Sequence, residues 1–458
     1  MEIIYTKIPG VLLIKTQKFE DNRGWFMETF NESNQLFDFK DAQDNVSFTK
    51  HKGTIRGMHL QIKDASQGKI VTCLKGKLID VVYDLREESP TYLQKATFEL
   101  SDENNYLLLI PRGLAHGFQT LSDDVLFMYK CDNVYNKLSE RCISYLDKTL
   151  NMDWPIKDVI ISEKDKLGLT TEEYKNSLHT VLLIGGSGLL GRALKKQLED
   201  LKFNVLAPTH KELDITKDFI LDKYFLKYKP DIVINCAAYT NVNKAEKEAR
   251  LCNITNVVGT ANVTKACELI NSKLVYISTE YVFDGTKQSP YIPSDKTHPL
   301  NLYGYTKMLG ENIVKDYKKH FIIRTSWLYD NYGSGFPQKI INLANNHKEI
   351  TVVDDQVGSP TYVQDLAEGI SKIISTDNYG IYHLTNQGYC SFYELANKVK
   401  ELNDLDLIIK PISSEEYRKE HPDSVLRPKN SRMIDDIHHI ELPNYEDALI
   451  RCLKKDNQ

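Results

Sequence analysis

The chain reads as two domains of different class, an all-β domain followed by an α/β domain with a parallel sheet. From Tyr5 to about Asp153, short alternating segments are separated by turn residues such as Lys75-Gly76, the pattern of a β-sandwich or barrel. Examples are Lys69-Ile70-Val71-Thr72-Cys73-Leu74 and Lys77-Leu78-Ile79-Asp80-Val81-Val82-Tyr83. From Thr180 the rhythm changes to apolar strand, glycine turn and helix, and it repeats, which implies a parallel sheet. Its strands are expected at Thr180 to Ile184, Phe203 to Ala207, Ile232 to Asn235, Leu274 to Ser278 and Phe321 to Arg324. The polar stretch from Leu169 to His179 is too short for a long tether, so the two domains are expected to lie close together. The expected division is 1–172, a short linker at 173–179, and 180–458.

Length and composition allow two full hydrophobic cores: 458 residues with 41% hydrophobic content are ordinary for globular domains. The net charge of −5 is small, and basic residues are spread along the chain, which argues against a nucleic-acid partner. No apolar run approaches the ~18 residues of a membrane helix, and the start lacks a basic segment followed by an apolar stretch. The eight cysteines form neither a CxxC pair nor a zinc spacing. A cytoplasmic protein without a membrane partner is the expectation.

In the second domain, Val181-Leu182-Leu183-Ile184 runs into Gly185-x-x-Gly188-x-x-Gly191. A buried strand entering such a turn lets backbone N–H groups and a helix N-terminus approach a pyrophosphate. After the next strand, Pro208-Thr209-His210-Lys211 offers no acidic residue to grip a ribose 2′-hydroxyl, so NADPH is favoured over NADH. Asp214 can reach the adenine end of such a cofactor or cap the next helix. Tyr303 and Lys307 stand four apart on one face of a predicted helix. A lysine ammonium beside a phenol favours the phenolate, so the pair predicts a tyrosine pKa below its usual value near ~10. The Ser278-Thr279 pair ends an apolar strand, where a hydroxyl can share a substrate oxygen with the tyrosine.

These motifs are joined by Asn235-Cys236-Ala237-Ala238-Tyr239-Thr240, Thr279-Glu280-Tyr281-Val282-Phe283-Asp284-Gly285, Arg324-Thr325-Ser326-Trp327 and Asp355-Gln356-Val357-Gly358-Ser359-Pro360-Thr361. Together they resemble the extended short-chain dehydrogenases and, more closely, the dTDP-4-dehydrorhamnose reductases, from Thr180 to about Leu453. The resemblance implies a Rossmann domain with a small substrate-binding subdomain. It places Gly185, Gly188, Leu189, Leu190 and Gly191 at the pyrophosphate, Asp214 and Ile215 at the adenine, and Ala238, Tyr239 and Thr240 at the ribose. Tyr303 would protonate the new alkoxide, Lys307 would hold the nicotinamide ribose and tune Tyr303, and Thr279, Glu280 and Trp327 would contact the sugar nucleotide. Two residues depart from the family pattern: Glu280 stands where an aspartate is usual, and Asn243 replaces another aspartate. Magnesium is compatible with this half, although no motif indicates it.

In the first domain, His59 follows Arg56-Gly57, and His116 lies in Pro111-Arg112-Gly113-Leu114-Ala115-His116-Gly117-Phe118. Metal-binding cupins bring two histidines two residues apart plus a carboxylate; no HxH is present, so no metal is expected. Arg23, Arg56 and Lys69 supply positive charge, and Tyr129 is a proton donor in an otherwise apolar strand. These residues, with Asp21-Asn22-Arg23-Gly24-Trp25-Phe26, Gln43-Asp44-Asn45-Val46-Ser47 and Ser162-Glu163-Lys164-Asp165-Lys166, resemble the dTDP-4-dehydrorhamnose 3,5-epimerases from about Tyr5 to Gly168.

That resemblance implies a cupin-like jelly-roll barrel in which His59 is the base, Asp165 fixes its tautomer and Tyr129 is the acid on the opposite face. Lys69 would stabilise an enolate, while Gln43, Asn45, Arg56, His116, Glu140 and Lys164 would hold the substrate and Tyr135 would stack on thymine. Arg23, Phe26 and Glu28 would reach the nucleotide of a neighbouring subunit, implying a homodimer through this domain; ordinary packing is the other reading of Phe26 and Tyr135. The joint expectation is a bifunctional enzyme acting on a dTDP-sugar, with epimerisation at C3 and C5 before reduction at C4. A UDP-sugar, a product such as 6-deoxy-L-talose, and a non-catalytic binding protein are the alternatives.

Overall fold

The computed structural model describes residues 2–29, 31 and 39–453. The chain forms two compact units, Met1–Lys175 and Asn176–Gln458. The polar stretch at the junction is not extended: Thr171–Ser177 is a short helix.

Among the described residues, the first unit is built on two large, mainly antiparallel sheets. One has the order Glu2–Tyr5, Leu12–Lys15, Tyr106–Ile110, Lys69–Lys75, Val125–Cys131, Gln43–Thr49. The other runs Glu140–Cys142, Thr54–Gln61, Leu114–Thr120, Lys77–Asp84, Lys95–Ser101, with Ile160–Ile161 parallel to Thr54–Gln61. Side chains alternate across a strand, so one face of each sheet meets the other, with Val71, Cys73 and Phe127 facing Leu78, Val82 and Phe118 in one core. This is the jelly-roll arrangement expected from the sequence. The inward rows turn polar toward one end: Lys69 continues the row of Val71 and Cys73, Tyr129 the row of Val125 and Phe127, and Asp80 lies between Leu78 and Val82. A cavity with polar walls follows from that change of residue type.

A loop at the edge of this unit is tied down by one carboxylate. Asp84, whose side chain is fully buried, accepts bonds from Arg86 Nε (2.8 Å) and Nη2 (2.8 Å), Ser89 Oγ (2.6 Å) and Thr91 Oγ1 (2.7 Å). Burial opposes its charge, but the bonds from Arg86, Ser89 and Thr91 outweigh it and hold the pKa at about 2, below the ordinary 3.8. Because the folded value is depressed, the stabilisation is present above the unfolded value and is lost as pH falls through about 2. Asp84→Ala is expected to destabilise this unit by roughly 2–4 kcal/mol, since it leaves the Arg86 charge without its partner. Thermal unfolding at pH 7 and at pH 3 checks this: the gap between variant and parent should narrow in acid, and an equal gap at both values would refute it.

The second unit is centred on a six-stranded parallel sheet. Its order is Asn204–Leu206, Thr180–Ile184, Ile232–Asn235, Lys273–Thr279, His320–Thr325, Gly380–His383. Thr180–Ile184 is buried throughout, as a strand covered by helices on both faces must be. One core packs helices Leu189–Asp200 and Val363–Ile374 on one face, and a second packs helices Asp218–Tyr228 and Gly259–Ile270 on the other. Strand order reverses between Thr180–Ile184 and Ile232–Asn235, and ligands of open α/β sheets bind in the crevice at such a point. A smaller apolar cluster around Tyr329, Val352, Leu395 and Leu449 holds the subdomain together, with Glu349–Val353 and Ile408–Ile412 paired in parallel.

Candidate active sites

In the first unit the polar end of the barrel is a cavity of ≈ 460 Å³. His59 lies on strand Thr54–Gln61 and is paired in register with His116. The close approach of these strands needs Gly57, at φ +114°: a Cβ there would sit 2.7 Å from the His116 carbonyl. His59 Nε2 lies 2.7 Å from Asp165 Oδ1, and the Gly57 N–H donates to Asp165 Oδ2 at 3.4 Å. Asp165 belongs to the turn of helix Glu163–Lys166, whose N-cap Ser162 accepts the Asp165 N–H at 3.1 Å. Burial would raise the Asp165 pKa, but the His59 contact outweighs it, so the carboxylate stays charged and fixes the ring nitrogen that faces it. His116 is held the same way, 2.8 Å from Asp80 Oδ2, and both are buried.

Tyr129 sits opposite Asn45 and Val71 in register. Burial raises its pKa, against the opposing pull of Arg56, so the phenol keeps its proton. Burial lowers the pKa of Lys69, with nearby acidic groups, Asp80 and Glu140 among them, opposing. The structure thus brings His59, Tyr129, Asp165, Lys69, His116, Arg56, Gln43, Asn45, Tyr135 and Glu140 around one space. Tyr135 donates to Glu140 at 3.0 Å, and Lys164 reaches the same carboxylate at 2.6 Å from outside the wall. Arg23, Phe26 and Glu28 do not line this cavity. Arg23 and Phe26 lie on the exposed hairpin Lys18–Asp21/Gly24–Met27, with Arg23 bound to Asp21 at 2.6 Å. Gln61, whose Oε1 accepts the Asn136 N–H at 3.1 Å, lines the space and was not anticipated.

In the second unit the crevice is a cavity of ≈ 740 Å³. Gly185, Gly188, Leu189, Leu190 and Gly191 form one wall, at the N-terminus of helix Leu189–Asp200. Gly191 has no room for a side chain, since a Cβ would fall 2.2 Å from the Gly185 carbonyl. This turn fits a pyrophosphate. Ile215, Ala238 and Thr240 also line the crevice, as does His210 of the segment Pro208-Thr209-His210-Lys211. Asp214 lines the crevice but does not cap helix Asp218–Tyr228, whose N-cap is Lys217 without a side-chain bond; its Oδ1 instead accepts from Thr216 N (2.9 Å) and Oγ1 (2.8 Å) in the preceding turn. Tyr239 lies outside the lining, because its hydroxyl donates to Glu248 at 2.7 Å.

Tyr303 and Lys307 share a face of helix Leu302–Lys315, both buried at the crevice. The expected lowering of the tyrosine pKa is not found. Burial raises it, Glu280 raises it further, and only Thr279 opposes by hydrogen bonding. The Lys307 Nζ lies 3.9 Å from the centre of the Tyr276 ring, and burial lowers its pKa to about 7 against the pull of Glu311. Sequence spacing put the two groups on one face but could not show that both lose their water. Ser278 is taken by Glu311 (2.6 Å), which Arg324 binds through two bonds of 2.9 and 2.7 Å, so Thr279 is the hydroxyl left for a ligand. Thr279 donates to Glu280 at 2.7 Å, and burial lifts the Glu280 pKa to about 7. Trp327, at φ +47°, stacks on Phe392 at 3.6 Å. A left-handed backbone at a bulky residue is strained, and such strain gathers at binding sites.

A second cleft, lined by Phe392 as the crevice is, was not legible in the sequence. It carries Lys339, Arg418, Arg427 and Lys429 beside Phe336 and Tyr417. Arg427 Nη2 donates to Asn243 Oδ1 at 3.4 Å, while its buried Nε has no partner among the described residues. Asn243 therefore gives this arginine an uncharged neighbour where the family pattern has an acid.

A jelly roll with a His–Asp pair and a phenol across its cavity defines a proton-transferring enzyme, and a glycine turn with a buried Tyr-x-x-x-Lys helix defines a short-chain reductase. The chain belongs to both corresponding families: residues 5–173 match dTDP-4-dehydrorhamnose 3,5-epimerase, and residues 179–458 match the RmlD substrate binding domain. The dTDP-4-dehydrorhamnose 3,5-epimerase of Shigella flexneri is 42% identical over 171 residues, 36% of this chain and 93% of that protein. The dTDP-4-dehydrorhamnose reductase of Aggregatibacter actinomycetemcomitans is 36% identical over 261 residues, 55% of this chain and 89% of that protein. The crystal structure of dTDP-4-dehydrorhamnose reductase from Bacillus anthracis in complex with NADP is 39% identical, with a TM-score of 0.57 over 60% of this chain and 98% of that one.

Proposed function

We propose that the chain makes dTDP-L-rhamnose in two steps, epimerising dTDP-4-dehydro-6-deoxy-D-glucose at C3 and C5 and then reducing C4 of the product with NADPH. The observation that carries this is the pairing in one chain of a His59–Asp165 cavity with a Tyr303–Lys307 crevice. The order follows from chemistry. The C4 ketone acidifies its neighbouring protons, so reduction must come last.

In the first step His59 removes a proton from one face, with the nitrogen facing Asp165 fixed as N–H. Inversion needs a donor on the other face, and Tyr129, kept protonated by burial, supplies it. Lys69 and His116, which both line the cavity, stabilise oxygen charge.

For the second step, bound NADPH would provide the hydride. Gly185 to Gly191 would hold the pyrophosphate, and the absence of an acid in Pro208-Thr209-His210-Lys211, with His210 at the crevice, suits a 2′-phosphate. The NADP in the B. anthracis relative supports the same choice. Thr279 and Tyr303 bind the C4 oxygen, and Tyr303 delivers the proton. The cationic cleft of Lys339, Arg418 and Arg427 fits the diphosphate of the substrate. Incubation of the chain with the keto sugar and NADPH should consume nicotinamide absorbance and yield dTDP-L-rhamnose by NMR. Binding without turnover would refute the reading.

A homodimer through the first domain is supported by exposed apolar groups. On edge strand Gln43–Thr49, Gln43, Asn45 and Ser47 face the cavity, whereas Val46 and Phe48 point outward at 61% and 56% exposure. Phe19 and Phe26 are exposed as well. A Val46→Lys, Phe48→Lys chain should sediment as a monomer where the parent is a dimer; an unchanged mass would exclude this edge. A cytoplasmic setting is supported by all eight cysteines being free. No helix among the described residues is long and apolar enough to cross a membrane.

A further inference from the structure

Strand pairing sets Cys142 directly across from His59, on the side of the ring where Asp165 also lies. The Cys142 Sγ is 3.9 Å from Asp165 Oδ1, and His59, Cys142 and Asp165 offer one ligand atom each within 4.8 Å of one another. Nitrogen, thiolate and carboxylate are the donor types zinc selects, at bond lengths of about 2.0–2.3 Å, which places neighbouring donors roughly 3.3–3.7 Å apart around a tetrahedral ion. The Cys142–Asp165 separation already approaches that spacing, and the His59–Asp165 pair must open by less than ~1 Å. Asp165 is held from behind by the Gly57 N–H on Oδ2 and by Ser162 on its backbone, so Oδ1 is presented in a fixed orientation. His59 and Asp165 line the cavity, which leaves a fourth position open to solvent or substrate.

We propose that His59, Cys142 and Asp165 form an inhibitory site for a thiophilic divalent cation, zinc or cadmium, that shuts off epimerisation and spares reduction. The inference rests on the reading of His59 as the base. In the working site the neutral imidazole carries its proton on Nε2, toward Asp165, and its other nitrogen is free to take a proton. A cation bound at Nε2 forces the ring proton onto Nδ1 and removes that lone pair. The Cys142 thiol releases one proton to solvent, and the resulting thiolate and the Asp165 carboxylate balance the dication. No redox change and no further reactant is involved.

The test uses the full chain stripped of metal by a chelator. Cobalt(II) titration should produce a near-ultraviolet thiolate-to-metal absorption that zinc displaces and that Cys142→Ser and Cys142→Ala both lack. Zinc should suppress solvent-deuterium entry into the keto sugar at least tenfold, with either Cys142 variant needing at least ten times more zinc. Those variants should retain basal epimerisation, which reports that they fold, and reduction of supplied epimerised ketone should be unmoved by zinc in all three proteins. Cobalt absorption that persists without Cys142, or equal zinc sensitivity of parent and variants, would overturn the site. A Cys142-dependent cobalt band in a chain that never exchanges deuterium would uphold the cation site, refute the assignment of His59 as base, and overturn the inhibitory role.

Discussion

His59→Ala is expected to slow epimerisation by a factor of about 10²–10⁴, the range supplied by a positioned general base, while leaving the reduction of supplied dTDP-4-dehydrorhamnose within about twofold of the parent. The two expectations follow from separate features. Asp165 holds Nε2 at 2.7 Å and its carboxylate is kept ionised by that contact, so the imidazole is oriented with its other nitrogen available to accept a proton. Lys69 cannot replace it easily, because it lies toward the opposite sheet on strand Lys69–Lys75. Tyr129, with its pKa raised by burial, is a donor at neutral pH and a poor base. In deuterated water the parent should introduce deuterium at C3 and C5, and the variant should introduce neither. Exchange in the variant at the parent's rate would instead indicate that a group other than His59 removes the proton. Asp165→Asn should reproduce most of the loss, because an amide can hold the ring in the wrong tautomer.

The parts of this molecule that the sequence reveals are those built from neighbouring residues. The glycine turn at Gly185 to Gly191 follows its strand directly, and Tyr303 with Lys307 lies within one helix, so local geometry predicts both. His59 and Asp165 are joined across distant segments by the pairing of Ile160–Ile161 with Thr54–Gln61, and only a family resemblance could link them. Asp80 was readable in principle, as a charge in the inward row between Leu78 and Val82, yet its partner His116 is fixed by strand pairing and not by spacing. Cys142 belongs to the same class: nothing near it in sequence hints at His59. The cleft of Lys339, Arg418 and Arg427 is gathered from three separated elements. The Tyr303 pKa departs from the sequence-based expectation for a different reason. A Tyr-x-x-x-Lys spacing conveys charge proximity but not burial, and here burial raises the Tyr303 pKa and lowers that of Lys307, whose Nζ lies over the Tyr276 ring.

That correction shapes the second large effect. Tyr303→Phe should lower ketone reduction by about 10²–10⁴ and leave epimerisation intact, so the doubly deuterated keto sugar should accumulate in deuterated water even with NADPH present. In the parent, Tyr303 stays protonated well above neutrality, and its ionisation cannot set the pH limit of the reaction. Lys307, lowered to about 7 by burial, can. Lysine is charged below its pKa, so a step that needs the ammonium weakens as pH rises through about 7, with kcat/KM for reduction tending toward a tenfold fall per pH unit above it. Glu280, raised to about 7, gains negative charge over the same interval beside Thr279, and that charge opposes the oxyanion formed at C4. Both titrations thus act in one direction. Glu280→Gln, which stays neutral, should retain the descending limb that belongs to Lys307 but shift or soften it, whereas a rate constant flat to pH 9 in the parent would mean that the ammonium is not required for proton delivery.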